Sequence, residues 1–251
     1  MIKSDSIDPG LSVIIPCFNE VSNVEPLMQN INKLRDITDV HCEIIFVDGG
    51  SVDGTVEALN NSIKKLGLQS RVRVCEAVLN TKSGYGADIM RGLRLAKGQI
   101  VGWTHADLQT DILDVVRAYR LILNSGNIKN TIVKGRRKQR PFWDAFFTFG
   151  MQIFVFFMLK TKLDDINAQP KIFHRDVLAN ILCEDTPADF SLDLFLLWRA
   201  RSKRMSIIDF PVFFTKRLHG HAKGGGGGLR QKIGLTKRTL RYIIKLKLKT
   251  A

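Results

Sequence analysis

The chain has 251 residues and a mass of 28.3 kDa, and 45% of its residues are hydrophobic, a composition that fits one globular domain and excludes collagen, a disordered chain or a disulfide-rich miniprotein. A formal net charge of +14 predicts anionic partners, such as phosphates, nucleic acid or lipid headgroups. The four cysteines are far apart and form no Cys-x-x-Cys pair, which disfavours a disulfide framework or a zinc knot and favours a reducing cytoplasm.

Short apolar runs alternate with amphipathic stretches through the first half of the chain. Four strand–helix pairs are predicted, namely Leu11–Ile15 with Val24–Leu34, Glu43–Val47 with Thr55–Leu66, Val72–Ala77 with Ala87–Ala96, and Ile100–Trp103 with Ile112–Leu123. Asp53 and Asp111 precede two of these helices and are suited to cap them. The alternation is typical of an α/β fold with a mainly parallel sheet flanked by helices.

The second half of the chain has a less regular pattern. It predicts strands at Thr131–Lys134 and Ser206–Phe210, and helices at Phe142–Leu159 and Phe190–Arg201. The helix at 142–159 carries eight aromatic residues, more than one helix face can bury, and follows a basic cluster at 134–140. This arrangement predicts an interfacial helix on an anionic membrane surface, with burial in the core or in a dimer contact as the alternative.

The end of the chain is strongly basic. Eleven Lys or Arg residues and no acidic residue lie between Lys216 and the last residue. Five glycines, Gly224–Gly228, precede a stretch in which apolar residues recur at helical spacing opposite basic ones. We therefore predict a catalytic domain at residues 1–223, and a glycine hinge with a basic amphipathic tail at residues 224–251.

No segment has the pattern of a leader or of a membrane span. Met1–Gly10 contains two aspartates and no apolar core, which predicts no signal peptide. The apolar stretch Ala145–Leu159 is shorter than the roughly 17–25 residues of a spanning helix. We expect a cytoplasmic protein that lies peripherally on the inner face of the membrane.

Carboxylates follow three of the predicted strands. Pro16–Glu20, Asp48–Thr55 and His105–Gln109 each begin where a strand ends, and ligands of open parallel sheets bind at this edge. Such a rim suits a nucleotide, because carboxylates accept hydrogen bonds from ribose hydroxyls and bind divalent cations. The plainer interpretation is that Asp48, Asp53 and Asp107 only cap turns and helices.

These segments resemble the consecutive motifs of family 2 glycosyltransferases, which have the GT-A nucleotide-diphospho-sugar transferase fold. The motifs are Val13–Glu20, Val47–Thr55 and Ala106–Gln109, and the polyprenyl-phosphate sugar synthase branch is similar also at Gly84–Ala87, Pro211, Arg217 and Gly220. The resemblance implies a metal-dependent, inverting enzyme that moves a sugar from a nucleotide-diphosphate donor to polyprenyl phosphate. A hydroxyl acceptor on a glycan or lipid-linked intermediate is one alternative, and a non-catalytic nucleotide-sugar-binding protein is another.

The resemblance also implies roles for individual residues. Mn²⁺ or Mg²⁺ would be held by Asp107 and Gln109, and by His105, which stands where the family has an aspartate. Nucleotide-sugar-binding residues would be Pro16, Phe18, Glu20, Asp48, Lys82, Asp107, Arg217 and Lys223. Catalytic residues would be Asp107, Asp189 and Asp193, and the acceptor or membrane side would be lined by Arg136, Arg137, Asn167 and Gln169. For Asp189 and Asp193 the alternative is a capping or surface role. For Arg217 and Lys223 the alternative is that they belong to a solvated run of charges.

Two positions depart from the family pattern. Gly49 replaces the second aspartate of the usual Asp-Asp-Gly-Ser, and His105 replaces the first aspartate of the metal motif. Because imidazole favours transition metals, His105 predicts a weak, Mn²⁺-preferring metal dependence, unless it lies outside the metal's ligands.

Other function classes are disfavoured. Gly84–Ile89 lacks the third glycine of a dinucleotide-binding turn, and no Walker A loop is present, which argues against an oxidoreductase and an ATPase. No nucleic-acid module is recognisable, so we expect no nucleic acid partner.

The two possible acceptors differ in their need for a general base. An acceptor phosphate is already ionised at neutral pH, since its second pKa is about 6, and needs no general base, whereas a hydroxyl does.

Overall fold

A computed structural model describes residues 10–37, 40–76, 84–138, 142–182, 185–215, 217 and 229–250. Within these residues the strands are β1 (Leu11–Cys17), β2 (Cys42–Asp48), β3 (Val72–Glu76), β4 (Ile100–Trp103), β5 (Thr131–Lys138), β6 (Lys171–His174) and β7 (Ser206–Phe213). The helices of this part are α1 (Val21–Ile37), α2 (Thr55–Leu66), α3 (Tyr85–Leu95), α4 (Leu113–Leu123), α5 (Phe142–Leu159), α6 (Asp176–Asn180), α7 (Leu192–Ser202) and α8 (Leu229–Thr250).

All of these strands belong to one sheet with the order β3-β2-β1-β4-β6-β5-β7. Neighbours are parallel except at β6, which runs antiparallel to both β4 and β5. The prediction of a mainly parallel sheet flanked by helices is confirmed. The carboxyl ends of the parallel strands and the first residue of β6, Lys171, therefore lie at the same edge, which we call the carboxyl edge.

Two hydrophobic layers cover the sheet. Because successive strand residues point to opposite faces, Val13 and Ile15 pack on one face with α1, α2 and α4, while Ile14 packs on the other with α3 and α7. The central strands are buried on both faces, which explains their almost continuous apolar sequence.

The second half differs from its prediction in four places, one of which is that β7 continues three residues beyond its predicted end at Phe210. Strand β6 and helix α6 were not predicted, because each has only four or five residues and carries polar ones. Strand β5 continues to Lys138, four residues beyond the predicted end, since its polar residues Arg136–Lys138 still pair with β7.

Helix α8 packs against α5, and its Ile243 and Leu246 are buried in the same layer as Val155. The boundary between residues 223 and 224 and the glycine run lie outside the described residues, so the division into domain and tail stays a prediction. None of the helices in the described ranges combines the length and the apolar character that crossing a membrane requires.

Candidate active site

The loops after β1 and β2 are joined by hydrogen bonds at the carboxyl edge. Asn19, at a positive φ of 52°, donates its backbone N–H to the Ser51 hydroxyl (2.7 Å), and its side-chain oxygen accepts from the N–H of Val52 (2.9 Å). The N–H of Glu20 donates to the Thr55 hydroxyl (2.8 Å). The two loops therefore form one unit that holds Glu20 in place, with Pro16 and Phe18 partly buried beside it.

Asp48 is buried and closes its own turn. Its Oδ2 accepts from the N–H groups of Gly50 (2.9 Å) and Ser51 (2.8 Å), and its Oδ1 accepts from the Ser51 hydroxyl. A Cβ at Gly49 would lie 2.8 Å from Oδ2 of Asp88, which gives a steric reason for glycine at this departure from the family pattern. These contacts fit the capping interpretation of Asp48, and its contact with a nucleoside stays a prediction.

Asp53 and Asp111 accept hydrogen bonds from amides at helix starts, as predicted, although the N-cap positions themselves are Gly54 and Ile112. Asp53 accepts from the N–H of Thr55 (3.1 Å) in α2 and also from Val21 (3.2 Å) at the start of α1. Burial acts to raise the pKa of Asp53, but hydrogen bonds from the Thr55 hydroxyl and from these amides outweigh it and lower the pKa. Asp111 accepts from the N–H of Leu113 (2.9 Å) in α4.

Four predicted site residues meet where β1 and β4 end. Arg217 donates to Oε1 of Glu20, and its Nη2 lies 3.9 Å from Oδ2 of Asp107. Asp107 also accepts from the N–H of Gln109 (3.2 Å). The Gln109 side chain donates to the backbone carbonyl of Thr215 (3.2 Å). The backbone N–H of Thr215 donates in turn to the backbone carbonyl of Gln109 (2.9 Å). The loop that carries Asp107 is thus fixed to the segment that carries Arg217.

His105 lies beside an aromatic pair. The ring of Tyr85 stacks on Phe190 with a centroid distance of 4.5 Å and an interplanar angle of 13°, and its centroid is 6.3 Å from that of His105. Burial lowers the pKa of His105, although the charge of Asp107 acts in the opposite direction. The net effect is a pKa below the usual value for histidine, which favours the neutral imidazole.

Asp193 lies in a buried polar network. Its Oδ1 is 2.7 Å from Nζ of Lys171. Oδ1 also accepts from Trp103 Nε1 of β4 (3.3 Å) and from Gln169 Nε2 in the segment before β6 (3.2 Å). Oδ2 accepts from the Tyr85 hydroxyl of α3 (3.5 Å). Burial lowers the pKa of Lys171 to about 8, although Asp193 opposes this shift. Lys171 and Trp103 were not predicted to lie at the site, and Tyr85 was noted only within the Gly84–Ala87 motif, because only the fold brings these residues to Asp193.

The predicted Gly84–Ala87 motif packs against the loop before α7. The N–H of Ala87 donates to the carbonyl of Ala188 (3.1 Å), and a Cβ at Gly86 would lie 2.8 Å from the carbonyl oxygen of Asp189. Glycine is required at this close approach of two backbones. Asp189 itself is exposed, and its Oδ1 accepts from the N–H of Ser191 (2.9 Å), as a turn cap does.

The residues predicted for the acceptor side fall into two groups. Arg136 and Asn167 are exposed near the carboxyl edge. Arg137 instead makes a two-point ion pair with Asp165, and its guanidinium lies 5.3 Å from the ring centroid of Phe214. Gln169 is buried and donates to the Tyr85 hydroxyl (2.9 Å).

The predicted donor-binding residues Lys82 and Lys223 lie outside the described residues.

The carboxyl edge offers few protein ligands for a metal. Within the described ranges, no three His, Cys, Asp or Glu side chains are grouped so that they hold an ion. Mg²⁺ is commonly bound by one or two carboxylates together with substrate phosphates and water. The Asp107 carboxylate, partly exposed at this edge, fits a site of that kind.

Comparison with known proteins gives concordant matches. The family model described as glycosyl transferase family 2 matches residues 12–182. The undecaprenyl-phosphate 4-deoxy-4-formamido-L-arabinose transferase of Aeromonas hydrophila is 25% identical over 86% of this chain, which spans 63% of that relative's length. The polyprenol monophosphomannose synthase of Mycolicibacterium smegmatis is 27% identical over 87% of this chain and 82% of its own length.

The fold also has solved counterparts. A crystal structure of glucosyl-3-phosphoglycerate synthase from Mycobacterium tuberculosis, in complex with Mn²⁺, UDP and phosphoglyceric acid, superposes with a TM-score of 0.71 over 95% of this chain and 78% of that one, at 18% identity. This likeness shows a shared fold.

Proposed function

Because the chain belongs to glycosyl transferase family 2, whose model covers residues 12–182, we propose that it transfers a sugar from a nucleotide-diphosphate donor to a polyprenyl phosphate. The proposal is supported by relatives from Aeromonas and Mycolicibacterium that are named for polyprenyl-phosphate or polyprenol-phosphate sugar transfer. A dodecaprenyl-phosphate galacturonate synthase of Rhizobium johnstonii, 24% identical over 68% of this chain, adds to that support.

The state of Asp193 is the observation that carries the choice of acceptor. A hydroxyl acceptor needs a base to take its proton, and Asp193 lies in the segment where that base was predicted. Its carboxylate is buried, ion-paired to Lys171 at 2.7 Å and hydrogen-bonded to several further donors. Its oxygens are engaged by donors of the protein, which leaves it badly placed to receive a proton from an acceptor hydroxyl. The other predicted candidate, Asp189, accepts from the N–H of Ser191 as a turn cap does. A phosphate acceptor, already ionised, needs no base, so this geometry favours polyprenyl phosphate over the hydroxyl alternative.

The same geometry favours a single displacement with inversion at the sugar. A double displacement requires a carboxylate that is free to bond the anomeric carbon. Asp193 is enclosed by its donors, and Asp107 faces Arg217 and the N–H of Gln109. The acceptor phosphate would therefore attack the sugar directly, from the side opposite the departing diphosphate.

At the donor side, Asp107 would hold Mn²⁺ or Mg²⁺, and Arg217 would donate to the diphosphate. The ion supplies, when bound, positive charge that stabilises the departing diphosphate. The imidazole of His105, two residues before Asp107 in the same loop, is the feature that supports a preference for Mn²⁺.

A second surface supports attachment to an anionic membrane. Helices α5 and α8 pack together and expose apolar side chains, among them Phe156 (51%), Phe157 (71%) and Leu248 (75%). Helix α8 also exposes five cationic side chains, those of Lys237, Arg238, Arg241, Lys245 and Lys247. We call this the α5–α8 face. Apolar contact combined with several cations suits a bilayer with anionic headgroups.

A ligand screen tests the proposed donor. Thermal unfolding of the full chain is measured with UDP-, GDP- and dTDP-sugars, each with and without Mn²⁺, since a ligand of the native state raises Tm. We expect at least one donor to raise Tm with Mn²⁺ in the wild type and not in Asp107→Ala, and to be consumed when polyprenyl phosphate is added. If no donor raises Tm and none is consumed, the proposal is wrong.

A further inference from the structure

Thr215 and Arg217, which follow β7, contact two loops at the carboxyl edge. The Thr215 hydroxyl donates to the carbonyl of Leu108 (3.3 Å), and its N–H donates to Gln109 (2.9 Å), so this segment is fixed to the loop after β4. Two residues later, Arg217 reaches Glu20 in the loop after β1. Strands β1 and β4 are neighbours, and Arg217 therefore spans the crevice between their ends.

Arg217 is shared between two carboxylates. It is ion-paired with Glu20 and lies 3.9 Å from Asp107 Oδ2, and the three side chains are only 13%, 10% and 15% exposed. Charges with so little exposure are weakly screened by water and salt. Glu20 is held from its other side by Nδ2 of Asn23 (2.6 Å), which fixes it as the anchor of Arg217.

This arrangement opposes the binding of a metal ion by itself. A divalent cation on Asp107 would stand next to the guanidinium of Arg217, and like charges at such distances repel. A diphosphate removes the conflict, because its oxygens accept from the guanidinium and bind the ion at once. The charge balance of the crevice therefore favours the metal and the diphosphate together over either one alone.

We propose that Arg217 couples the binding of the metal ion to that of the diphosphate, by exchanging the carboxylates of Glu20 and Asp107 for phosphate oxygens. Arg217 is in this scheme a binding residue, which stays close to Asp107 until a metal–diphosphate unit arrives and then donates to the diphosphate. The inference rests on the proposed use of a nucleotide-diphosphate donor, but its test uses inorganic diphosphate and requires no sugar transfer.

The test is a titration of the full chain with Mn²⁺, in which free Mn²⁺ is followed by its electron paramagnetic resonance signal, with and without saturating inorganic diphosphate. A protein-free titration at the same diphosphate concentration corrects for the Mn²⁺ that diphosphate binds in solution. In Arg217→Gln we expect Mn²⁺ alone to bind about two- to fivefold more tightly, because a partly screened cation next to Asp107 is gone. We expect the gain in Mn²⁺ affinity that diphosphate produces to fall by about tenfold or more, because a charged hydrogen bond to phosphate is lost.

Arg73→Gln is the matched control, since Arg73 also pairs with a glutamate, Glu43, at the opposite end of the sheet. It should behave as the wild type does. Arg217→Lys keeps one positive charge without the planar fork and should give intermediate coupling; it replaces Arg217→Gln if that variant does not fold. Equal coupling in Arg217→Gln and the wild type, weaker binding of Mn²⁺ alone in the variant, or no effect of diphosphate on the wild type would each overturn the inference. Sugar transfer that fails while this coupling is intact would contradict only the proposed function.

Discussion

Nζ of Lys171 lies 2.7 Å from Oδ1 of Asp193, and both side chains are almost completely buried beneath the carboxyl edge. Asp193 lies in the first turn of α7, and Lys171 is the first residue of β6, opposite Trp103 in the sheet register. The pair therefore ties a helix to the antiparallel strand of an otherwise parallel sheet. Its position makes Asp193 part of the support of the site.

Asp193→Asn should leave most of the sugar transfer to polyprenyl phosphate intact. The amide keeps an oxygen that accepts from Gln169 and Trp103, so we expect kcat to fall by no more than about tenfold, whereas loss of a general base costs about 10²- to 10⁴-fold. Steady-state rates with saturating donor measure this. We expect Tm to fall, because Lys171 loses its buried partner, so the rates are compared well below the Tm of the variant, where circular dichroism shows that it is folded. A loss of 1,000-fold in kcat under those conditions would show that Asp193 does take part in proton transfer.

Lys171 should make stability depend on pH above neutrality. Burial, with the positive charges of Lys134 and Arg137 nearby, lowers its pKa to about 8, from an ordinary value of 10.5. Between these values the unfolded chain holds a proton that the folded chain has released, so the free energy of unfolding rises with pH in this window. Below pH 8 the penalty for burying the charge is present in full.

Urea unfolding of the wild type and Lys171→Met at several pH values between 7 and 10.5 measures this effect. We expect the difference in unfolding free energy to move in favour of the wild type as the pH rises. Other groups that titrate in the window are common to both proteins and cancel. A difference that is constant with pH would contradict the assignment.

Gly86→Ala should destabilise the protein. Its Cβ would meet backbone atoms of the loop before α7, including the carbonyl oxygen of Asp189 at 2.8 Å, and backbone cannot yield as a flexible side chain does. We expect a loss of about 1–3 kcal/mol, the usual range for overpacking. Gly150→Ala in α5, where a Cβ meets nothing within 4 Å, is the control and should be neutral or stabilising. Equal effects of the two substitutions would rule out the close approach.

The α5–α8 face should govern membrane binding. Phe157→Ser combined with Leu248→Ser removes two of its most exposed apolar side chains, and we expect binding to phosphatidylglycerol vesicles in a sedimentation assay to weaken about tenfold or more. Leu123→Ser, an exposed leucine of α4, is the matched control and should change nothing. Binding that is insensitive to the double substitution would place the membrane contact elsewhere.

The sequence predicted most of the architecture because the strongest signals in it are local. Apolar periodicity located β1, β2, β4 and the helices α1 to α5, and the capping residues Asp53 and Asp111 marked helix starts that the structure confirms. The motifs after β1, β4 and β7 brought Glu20, Asp107 and Arg217 into one hypothesis, and these side chains do meet.

What escaped prediction depends on distant pairs. Lys171 had no predicted role, and Arg137 was predicted to line the acceptor or membrane side. Each instead pairs with an aspartate more than twenty residues away, Lys171 with Asp193 and Arg137 with Asp165. Strand β6 was missed for the same reason: a four-residue segment that begins with lysine is stable as a strand only because β4 and β5 lie on either side. Partners of this kind are set by the fold, and spacing along the chain does not reveal them.

The most direct measurement compares two acceptors of equal chain length, a polyprenyl phosphate and the corresponding polyprenol, in vesicles with full-length protein, Mn²⁺ and a radiolabelled donor from the ligand screen. We predict labelled lipid with the phosphate only, and release of the label by mild acid, as a sugar phosphate bond requires. Label on the polyprenol at a comparable rate, or acid-stable label, would contradict the view that the site works without a base on an acceptor that is already ionised.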